Sequence, residues 1–219
     1  MLGARAMALP LKPALLLVGQ SGSGKSPLGD ALARMTGWAH LDFGARLRAI
    51  AAGEEGDFLT VDERAFVVEL LSKHALFPDE RFSIVAKILR SFIEKNPAAP
   101  GVILNGMPRH EGQARSVAEI LRVVAVVSLE CSASAAAERI RRRRAGLSAD
   151  HAGRTDDTVE AAAAKRRLFE ERTRPLVEYY ASRGAEILSL GVDAPSDEET
   201  QAGRLLPALL AALDRTPEI

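Results

Sequence analysis

The 219 residues are 47% hydrophobic and 26% charged, which suits one domain with inserts and argues against intrinsic disorder. The 29 basic side chains balance the 29 acidic ones, so no global charge attracts nucleic acid or a membrane surface. Cys131 is the only cysteine, which excludes an internal disulfide and a cysteine-based zinc site, and no stretch approaches the ~20 apolar residues of a membrane span.

Short apolar runs alternate with longer helical patterns along the chain. Residues 1–13 carry one arginine and one lysine without a convincing hydrophobic signal segment, so we expect a short flexible leader or an early start codon. The predicted strands are 14–18, 38–41, 102–105, 123–129 and 186–190. The predicted helices are 25–35, 44–52, 61–74, 79–95, 111–121, 132–145, 157–182 and 197–213. This alternation predicts a parallel sheet covered by helices on both faces.

The first predicted strand and helix are joined by residues 19–26, G-Q-S-G-S-G-K-S, which fit the phosphate-binding pattern G-x-x-x-x-G-K-[ST]. A strand, loop and helix in this order direct backbone N–H groups and the positive end of the helix dipole at one point. Lys25 can reach the terminal phosphates, and the Ser26 hydroxyl can ligate Mg²⁺. A simple turn rich in Gly and Ser is the alternative, but the flanking strand and helix favour a triphosphate-binding loop. Its predicted residues are Gly19, Ser21, Gly22, Ser23, Gly24, Lys25 and Ser26.

The positions of the arginines indicate how the triphosphate is used. Phosphoryl transfer between two polyanions needs several cations, and arginine offers a planar fork that is always charged. Arg139 and Arg143 share one face of a predicted helix, although a basic helix can also be a solvated face or a nucleic-acid patch. We assign their neighbours Arg141, Arg142 and Arg144 to the surface. The candidate functional arginines are Arg48, Arg109, Arg139, Arg143, Arg154 and Arg167.

Motifs in the same chain order resemble those of the adenylate kinase family of nucleoside monophosphate kinases, across roughly 14–213. Residues 19–27 resemble G-x-P-G-S-G-K-G-T, 40–48 resemble H-x-S-T-G-D-x-L-R, 76–80 resemble L-V-P-D-E, and 105–113 resemble D-G-F-P-R-x-x-x-Q. Residues 139–143, 154–157, 166–168 and 173–180 resemble R-x-x-x-R, R-x-D-D, K-R-L and T-x-P-L-x-x-Y-Y.

This resemblance implies a P-loop NTPase fold with three α/β/α layers and a five-stranded parallel sheet. The core domain would comprise 14–41, 78–143 and 154–215. A helical insert that binds the monophosphate would span 42–77, and a short lid would span 144–153. The resemblance also implies a cytoplasmic monomer that uses ATP and Mg²⁺, binds small-molecule nucleotides, and binds neither nucleic acid nor membranes.

The resemblance further implies a role for each candidate residue. Arg139 would stack on the base of ATP, while Arg143, Arg154 and Arg167 would converge on the transferring phosphoryl group. The predicted catalytic residues are Lys25, Arg109, Arg143, Arg154 and Arg167. Arg48 and Arg109 would hold the acceptor phosphate, and Gln113 and the Phe77 backbone would contact the acceptor base. The acceptor site is predicted to comprise Phe43, Arg48, Phe77, Gly106, Arg109 and Gln113.

Several positions depart from the family pattern. Asn105 replaces the Asp before G-F-P-R, Ala45 and Phe43 replace the Asp and Thr of S-T-G-D, and Pro27 replaces the final Thr of the loop motif. An amide at 105 lacks the charge that would orient the water shell of Mg²⁺, and a Phe at 43 cannot hydrogen-bond to a base.

These departures bear on the metal site and on the acceptor. Ser26 and Asn105 are the predicted Mg²⁺ residues, with Asn105 acting through water, and the lost charge predicts a slow enzyme with weak Mg²⁺ binding. A nearby carboxylate such as Asp42 would compensate for that loss. The favoured activity is ATP + AMP giving two ADP. A UMP or CMP kinase and a weakly active nucleotide-binding pseudoenzyme are the alternatives.

Overall fold

The computed structural model describes residues 11–73, 75–145, 159–193 and 197–214. Its strands are β1 (Lys12–Val18), β2 (Ala39–Asp42), β3 (Val102–Asn105), β4 (Leu121–Glu130) and β5 (Glu186–Gly191). They form one sheet in the order β2-β3-β1-β4-β5, and each neighbouring pair is parallel. The predicted five-stranded parallel sheet of a P-loop α/β fold is therefore confirmed.

Helices connect the strands and cover the sheet. They are α1 (Lys25–Thr36), α2 (Phe43–Ala52), α3 (Val61–Ser72), α4 (Phe82–Lys95), α5 (Glu111–Val117), α6 (Ala133–Arg144), α7 (Val159–Leu168), α8 (Leu176–Ala181) and α9 (Glu198–Asp214). None of these described helices combines the length and the apolar composition that crossing a membrane requires.

Two hydrophobic cores lie on opposite faces of the sheet. Alternate residues of β1 divide between them, with Leu16 in one core and Leu15 and Leu17 in the other. The first core contains buried side chains of α2, α3, α4, α5 and α8, and the second contains those of α1 and α9. Because both faces are covered, β1 is apolar along its whole central run and is at most 2% exposed from Ala14 to Val18.

Some predicted boundaries were wrong. The single helix predicted over 157–182 is instead α7, a π-helical segment at Phe169–Thr173, and α8, with 157 and 158 outside the described residues. The N–H of Arg174 bonds to the carbonyl of Phe169 at 2.8 Å, and Pro175, which has no N–H, follows directly. The helix predicted to end at 121 stops at Val117, because β4 begins at Leu121, where it pairs with Lys12 of β1.

The segment between β2 and α4 is a pair of packed helices, α2 and α3, followed by a 3-10 turn at Asp79–Arg81. A capping box starts α3: the N–H of Glu63 donates to Thr60 Oγ1 at 3.2 Å, and the N–H of Thr60 donates to Glu63 Oε2 at 2.9 Å. The insert over 42–77 stays a prediction, and the buried side chains of α2 and α3 belong to the same core as one face of the sheet.

The ends of three central strands lie side by side. Register pairs Asn105, the last residue of β3, with Leu17 of β1 and with Asp42, the last residue of β2. Since all strands run in the same direction, the loops that follow them gather at this carboxyl edge, where ligands bind in open α/β sheets. The candidate site lies at this edge.

Candidate active site

The loop between β1 and α1 has a backbone that requires glycine. Gly22 and Gly24 have φ angles of 82° and 92°, which L side chains rarely adopt. A Cβ on Gly22 would also lie 2.6 Å from the Ala136 carbonyl oxygen on α6. The Gln20 side chain donates to the Cys131 carbonyl at 2.5 Å and so ties the loop to the end of β4. The loop is therefore held in one shape by local backbone geometry and by a contact with a neighbouring strand.

Lys25 and Ser26 lie at the start of α1. The Lys25 ammonium donates to the carbonyls of Gly19 and Gln20, at 2.7 and 2.8 Å, so the charge lies over the loop itself. The Ser26 hydroxyl donates to Asp42 Oδ2 at 2.6 Å. The positive end of the α1 dipole adds to this local field, so the loop has the geometry and charge to bind phosphate.

One cavity of about 680 Å³ extends from this loop to α2, α3 and the segment after β3. Most of the predicted site residues line it: Gly19, Ser21, Gly22, Gly24, Lys25, Ser26, Phe43, Arg48, Phe77, Asn105, Gly106, Arg109, Gln113, Arg139 and Arg143. Ser23 is 1% exposed and packs against Gly19 rather than lining the cavity. Arg154 lies outside the described residues, as do residues 146–153 of the lid that was predicted over 144–153.

Arg167 is described but is not brought to the cavity. Its side chain is 75% exposed and lies 3.9 Å from Glu171 Oε1. Lys165 and Leu168 of the same helix line the cavity instead. Residues three apart share a helix face, which leaves Arg167 on a different one. Among the described residues, Arg167 therefore does not line the cavity with the other predicted arginines.

Two further cations line the cavity although the sequence reasoning did not place them there. Arg142, which we assigned to the surface, is exposed but lines the cavity, and so does Lys165. The i, i+3 spacing of Lys165 and Leu168 was the sequence signal that Lys165 shares a helix face with an apolar residue.

Arg143 is 5% exposed, which places a buried charge beside the site. The Arg139 guanidinium donates to the Val192 carbonyl and to Cys131 Sγ, which holds it between β4 and the end of β5.

Arg109 is fixed by its own segment and by its neighbours. Its Nε donates to the Gly106 carbonyl at 2.9 Å, and its backbone carbonyl accepts a hydrogen bond from Thr173 Oγ1 at 3.0 Å. Burial lowers the pKa of the guanidinium from its ordinary value, and the negative charge of Asp42 acts in the opposite direction. Arginine is not deprotonated in proteins at neutral pH, so Arg109 is a cation.

The Gln113 side chain is engaged in two internal hydrogen bonds. Its Oε1 accepts from the Arg109 N–H at 2.8 Å, and its Nε2 donates to the Phe77 carbonyl at 3.0 Å. Gln113 is 3% exposed. The amide therefore joins Arg109 to Phe77, and a hydrogen bond from either group to a base would have to be made in addition to these bonds or in exchange for them.

The surroundings of Phe43 and Phe77 are apolar. The two rings contact edge to face, with centroids 5.9 Å apart, and Phe66 lies 5.8 Å from Phe77. The cavity wall here is completed by apolar side chains of α2, α3, α4 and the segment after β3: Leu47, Leu70, Leu71, Val85 and Met107. This end of the cavity suits the flat, largely apolar face of a base.

Oxygen ligands suitable for Mg²⁺ meet at the strand ends. The Ser26 hydroxyl and the Asp42 carboxylate contact each other, and the Asn105 amide donates to both. Among the described residues no group of three or more acidic, His or Cys side chains could hold a metal unaided. Mg²⁺ is commonly held by one or two protein oxygens together with substrate phosphates, so the donor set fits a metal that arrives with a nucleotide.

Comparison with known proteins agrees with this geometry. The family model for adenylate kinase matches residues 17–185. Adenylate kinase of Stenotrophomonas maltophilia strain R551-3 is 31% identical over 201 residues, covering 89% of this chain and 98% of that protein. Adenylate kinase of strain K279a is 32% identical over 203 residues (90% and 99%), and that of Parvibaculum lavamentivorans is 32% identical over 178 residues (78% and 80%). The chain therefore belongs to the adenylate kinase family and is a nucleoside monophosphate kinase.

Proposed function

We propose that the chain transfers the γ-phosphoryl group of MgATP to AMP and releases two molecules of ADP. The observation that carries this proposal is a single cavity lined both by the phosphate loop with Lys25 and by Arg48 and Arg109. A cavity lined by cations from separate parts of the chain suits two phosphate-bearing substrates that face each other. The relatives named adenylate kinase support the choice of AMP.

The loop and the arginines act by position and charge. Backbone N–H groups of the loop and Lys25 bind the phosphates of ATP, while Arg48 and Arg109 hold the acceptor phosphate in line with the bond that breaks. Arg143, whose charge is buried beside the cavity, stabilises negative charge on the transferring group. No general base is required, because phosphoryl transfer depends mainly on alignment and on charge stabilisation.

Ser26 and Asn105 would hold Mg²⁺ beside the phosphates, where the ion, when bound, neutralises charge on the oxygens of the donor. The Ser26 hydroxyl is the group of this pair that ligates hard cations directly, and the Asn105 amide contacts it at 3.1 Å. We extend the proposal to the predicted insert at 42–77 and the lid at 144–153: their closure over both nucleotides excludes water and suppresses hydrolysis of ATP.

The acceptor is tested by a coupled assay of diphosphate release with MgATP and AMP, CMP, UMP or GMP. We expect AMP to give the highest kcat/KM. A higher value for UMP or CMP would reassign the acceptor while the chemistry stands. Absence of turnover with every acceptor would support a nucleotide-binding pseudoenzyme. A reaction without acceptor measures the background hydrolysis of ATP.

A further inference from the structure

Three polar side chains from distant parts of the chain contact each other at the carboxyl edge of the sheet. Ser26 Oγ donates to Asp42 Oδ2 at 2.6 Å. Asn105 Nδ2 donates to Ser26 Oγ at 3.1 Å and to the same Asp42 oxygen at 3.2 Å. Asp42 and Asn105 are also register partners on neighbouring strands. The only carboxylate of this cluster is therefore on β2, and the neutral amide is on β3.

The two oxygens of Asp42 contact different groups. Oδ1 accepts the N–H of Ala45 at 2.9 Å and so caps α2, whereas Oδ2 lies against the Ser26 hydroxyl. An amide can replace a carboxylate as a helix cap, because Asn and Asp cap equally well. An amide cannot replace the negative charge that a hard cation prefers.

We propose that Asp42 supplies the carboxylate of the Mg²⁺ site and that Asn105 is its neutral positioning partner. The inference rests on the proposed function, since the metal is the one that accompanies ATP. A second carboxylate at 105 would lie about as close to Asp42 as the amide does, and like charges at that distance repel. The Asn105 amide instead donates to both Asp42 and Ser26 and orders them. Asn105 therefore does not abolish the metal site, because Asp42 on the neighbouring strand supplies the negative charge of the site.

A purely structural role for Asp42 is the competing explanation, since it caps α2 and its charge acts on Arg109. The substitution Asp42→Asn distinguishes the structural role of Asp42 from its role in the metal site. The substitution retains an oxygen for the Ala45 N–H, so a cap alone predicts an unchanged metal dependence. Loss of the counter-charge beside Arg109 would change binding of the acceptor phosphate, and it would leave the metal requirement of ATP binding unaltered.

The experiment measures the affinity of a non-hydrolysable ATP analogue by calorimetry over a series of Mg²⁺ concentrations, without any acceptor. It compares wild type, Asp42→Asn, Asn105→Asp and the double variant Asp42→Asn/Asn105→Asp. Glu63→Gln is the matched control, because it removes a carboxylate from the first turn of α3 and Glu63 does not line the cavity. Thermal unfolding shows whether each variant is folded.

We expect Asp42→Asn to raise the Mg²⁺ concentration for half-maximal binding by about 10–100-fold, the usual effect of losing an outer-shell partner. The double variant returns the carboxylate to the other strand and should recover most of that loss. Asn105→Asp alone should bring no gain, and Glu63→Gln should match wild type. If Asp42→Asn does not fold, Asp42→Ser, which keeps a capping hydroxyl, takes its place.

A folded Asp42→Asn protein with the wild-type Mg²⁺ midpoint overturns the inference, as does a double variant no better than the single one. Asn105→Asp alone binding Mg²⁺ more tightly than wild type also overturns it. None of these measurements depends on turnover. Failure of the proposed function, seen as no diphosphate release by wild type, is thus distinguishable from failure of the Asp42 assignment.

Discussion

The two ends of the cavity are built in different ways. At the phosphate-loop end, consecutive residues from 19 to 26 supply the backbone shape, the lysine and the hydroxyl. At the proposed acceptor end, the wall combines side chains of α2, α3, α4, α5 and the segment after β3, which are far apart in the sequence. We therefore expect phosphate binding to depend on local sequence, and the shape of the proposed acceptor site to depend on tertiary packing.

A second difference concerns the polar groups. At the loop end, the Lys25 ammonium contacts loop carbonyls and the Ser26 hydroxyl contacts Asp42. Phosphate oxygens can replace the carbonyls as partners of Lys25, and a metal ion can bind the Ser26 hydroxyl. At the acceptor end, the Gln113 amide joins Arg109 to Phe77. Substitutions at the loop end should consequently change rate with little change in stability. Substitutions at the acceptor end should change stability and acceptor binding together.

The largest effect is expected for Lys25→Met. The variant removes one preorganised cation from the phosphate loop, which should lower kcat by roughly 10²-fold or more while the fold is retained. Steady-state kinetics and thermal unfolding measure both quantities. Lys73→Met, at an exposed lysine paired with Glu69, is the control and should match wild type. Near-normal turnover of Lys25→Met would remove the loop from the catalytic site.

Arg109→Lys tests the acceptor end directly. Lysine keeps the charge but loses the planar fork that binds two phosphate oxygens, so the KM for AMP should rise by about 10–100-fold. The affinity for ATP should change little. Arg115→Lys on the exposed face of α5 is the matched control. Equal weakening of ATP and AMP would show that Arg109 does not belong to a separate acceptor site.

Gln113→Leu separates a contact with the base from a structural role. The variant leaves the Arg109 N–H without its partner and leaves the Phe77 carbonyl with His110 Nε2 at 3.3 Å. The orphaned Arg109 N–H should lower the free energy of unfolding by about 1–3 kcal/mol. Because Arg109 loses its support, the KM values for AMP, CMP and UMP should rise together. Urea unfolding and the acceptor panel provide the measurements. A selective loss of AMP would mean that Gln113 exchanges its internal bonds for one to the base.

The smallest effect is expected at the start of α3. Thr60→Ala removes the side-chain acceptor of the Glu63 N–H and should lower the free energy of unfolding by about 1 kcal/mol. Ser182→Ala, at an exposed hydroxyl that follows α8 and does not line the cavity, is the control and should lie within about 0.5 kcal/mol of wild type. The affinity for ATP should not change in either variant. A change in ATP affinity for Thr60→Ala would contradict the independence of the two ends of the cavity.

Local sequence patterns were sufficient for much of this molecule. The strand, loop and helix around residues 14–36 were predicted because glycine spacing and apolar runs act over a few residues. The parallel sheet followed from the alternation of strands and helices. The break of the predicted 157–182 helix was missed, although Pro175 was visible, because a proline inside a helical pattern can produce a kink as well as an end.

The sequence by itself determined the phosphate loop, the parallel sheet and the family, since each depends on short motifs in a fixed order. Only the tertiary structure decided which side chains meet. Asp42 and Asn105 are 63 residues apart, and strand pairing places them in hydrogen-bond contact. The helical faces of α7 likewise bring Lys165, rather than Arg167, to the cavity. Long-range register leaves no local periodic signal, so whether the candidate carboxylate Asp42 lies beside Ser26 had to be read from the packed strands.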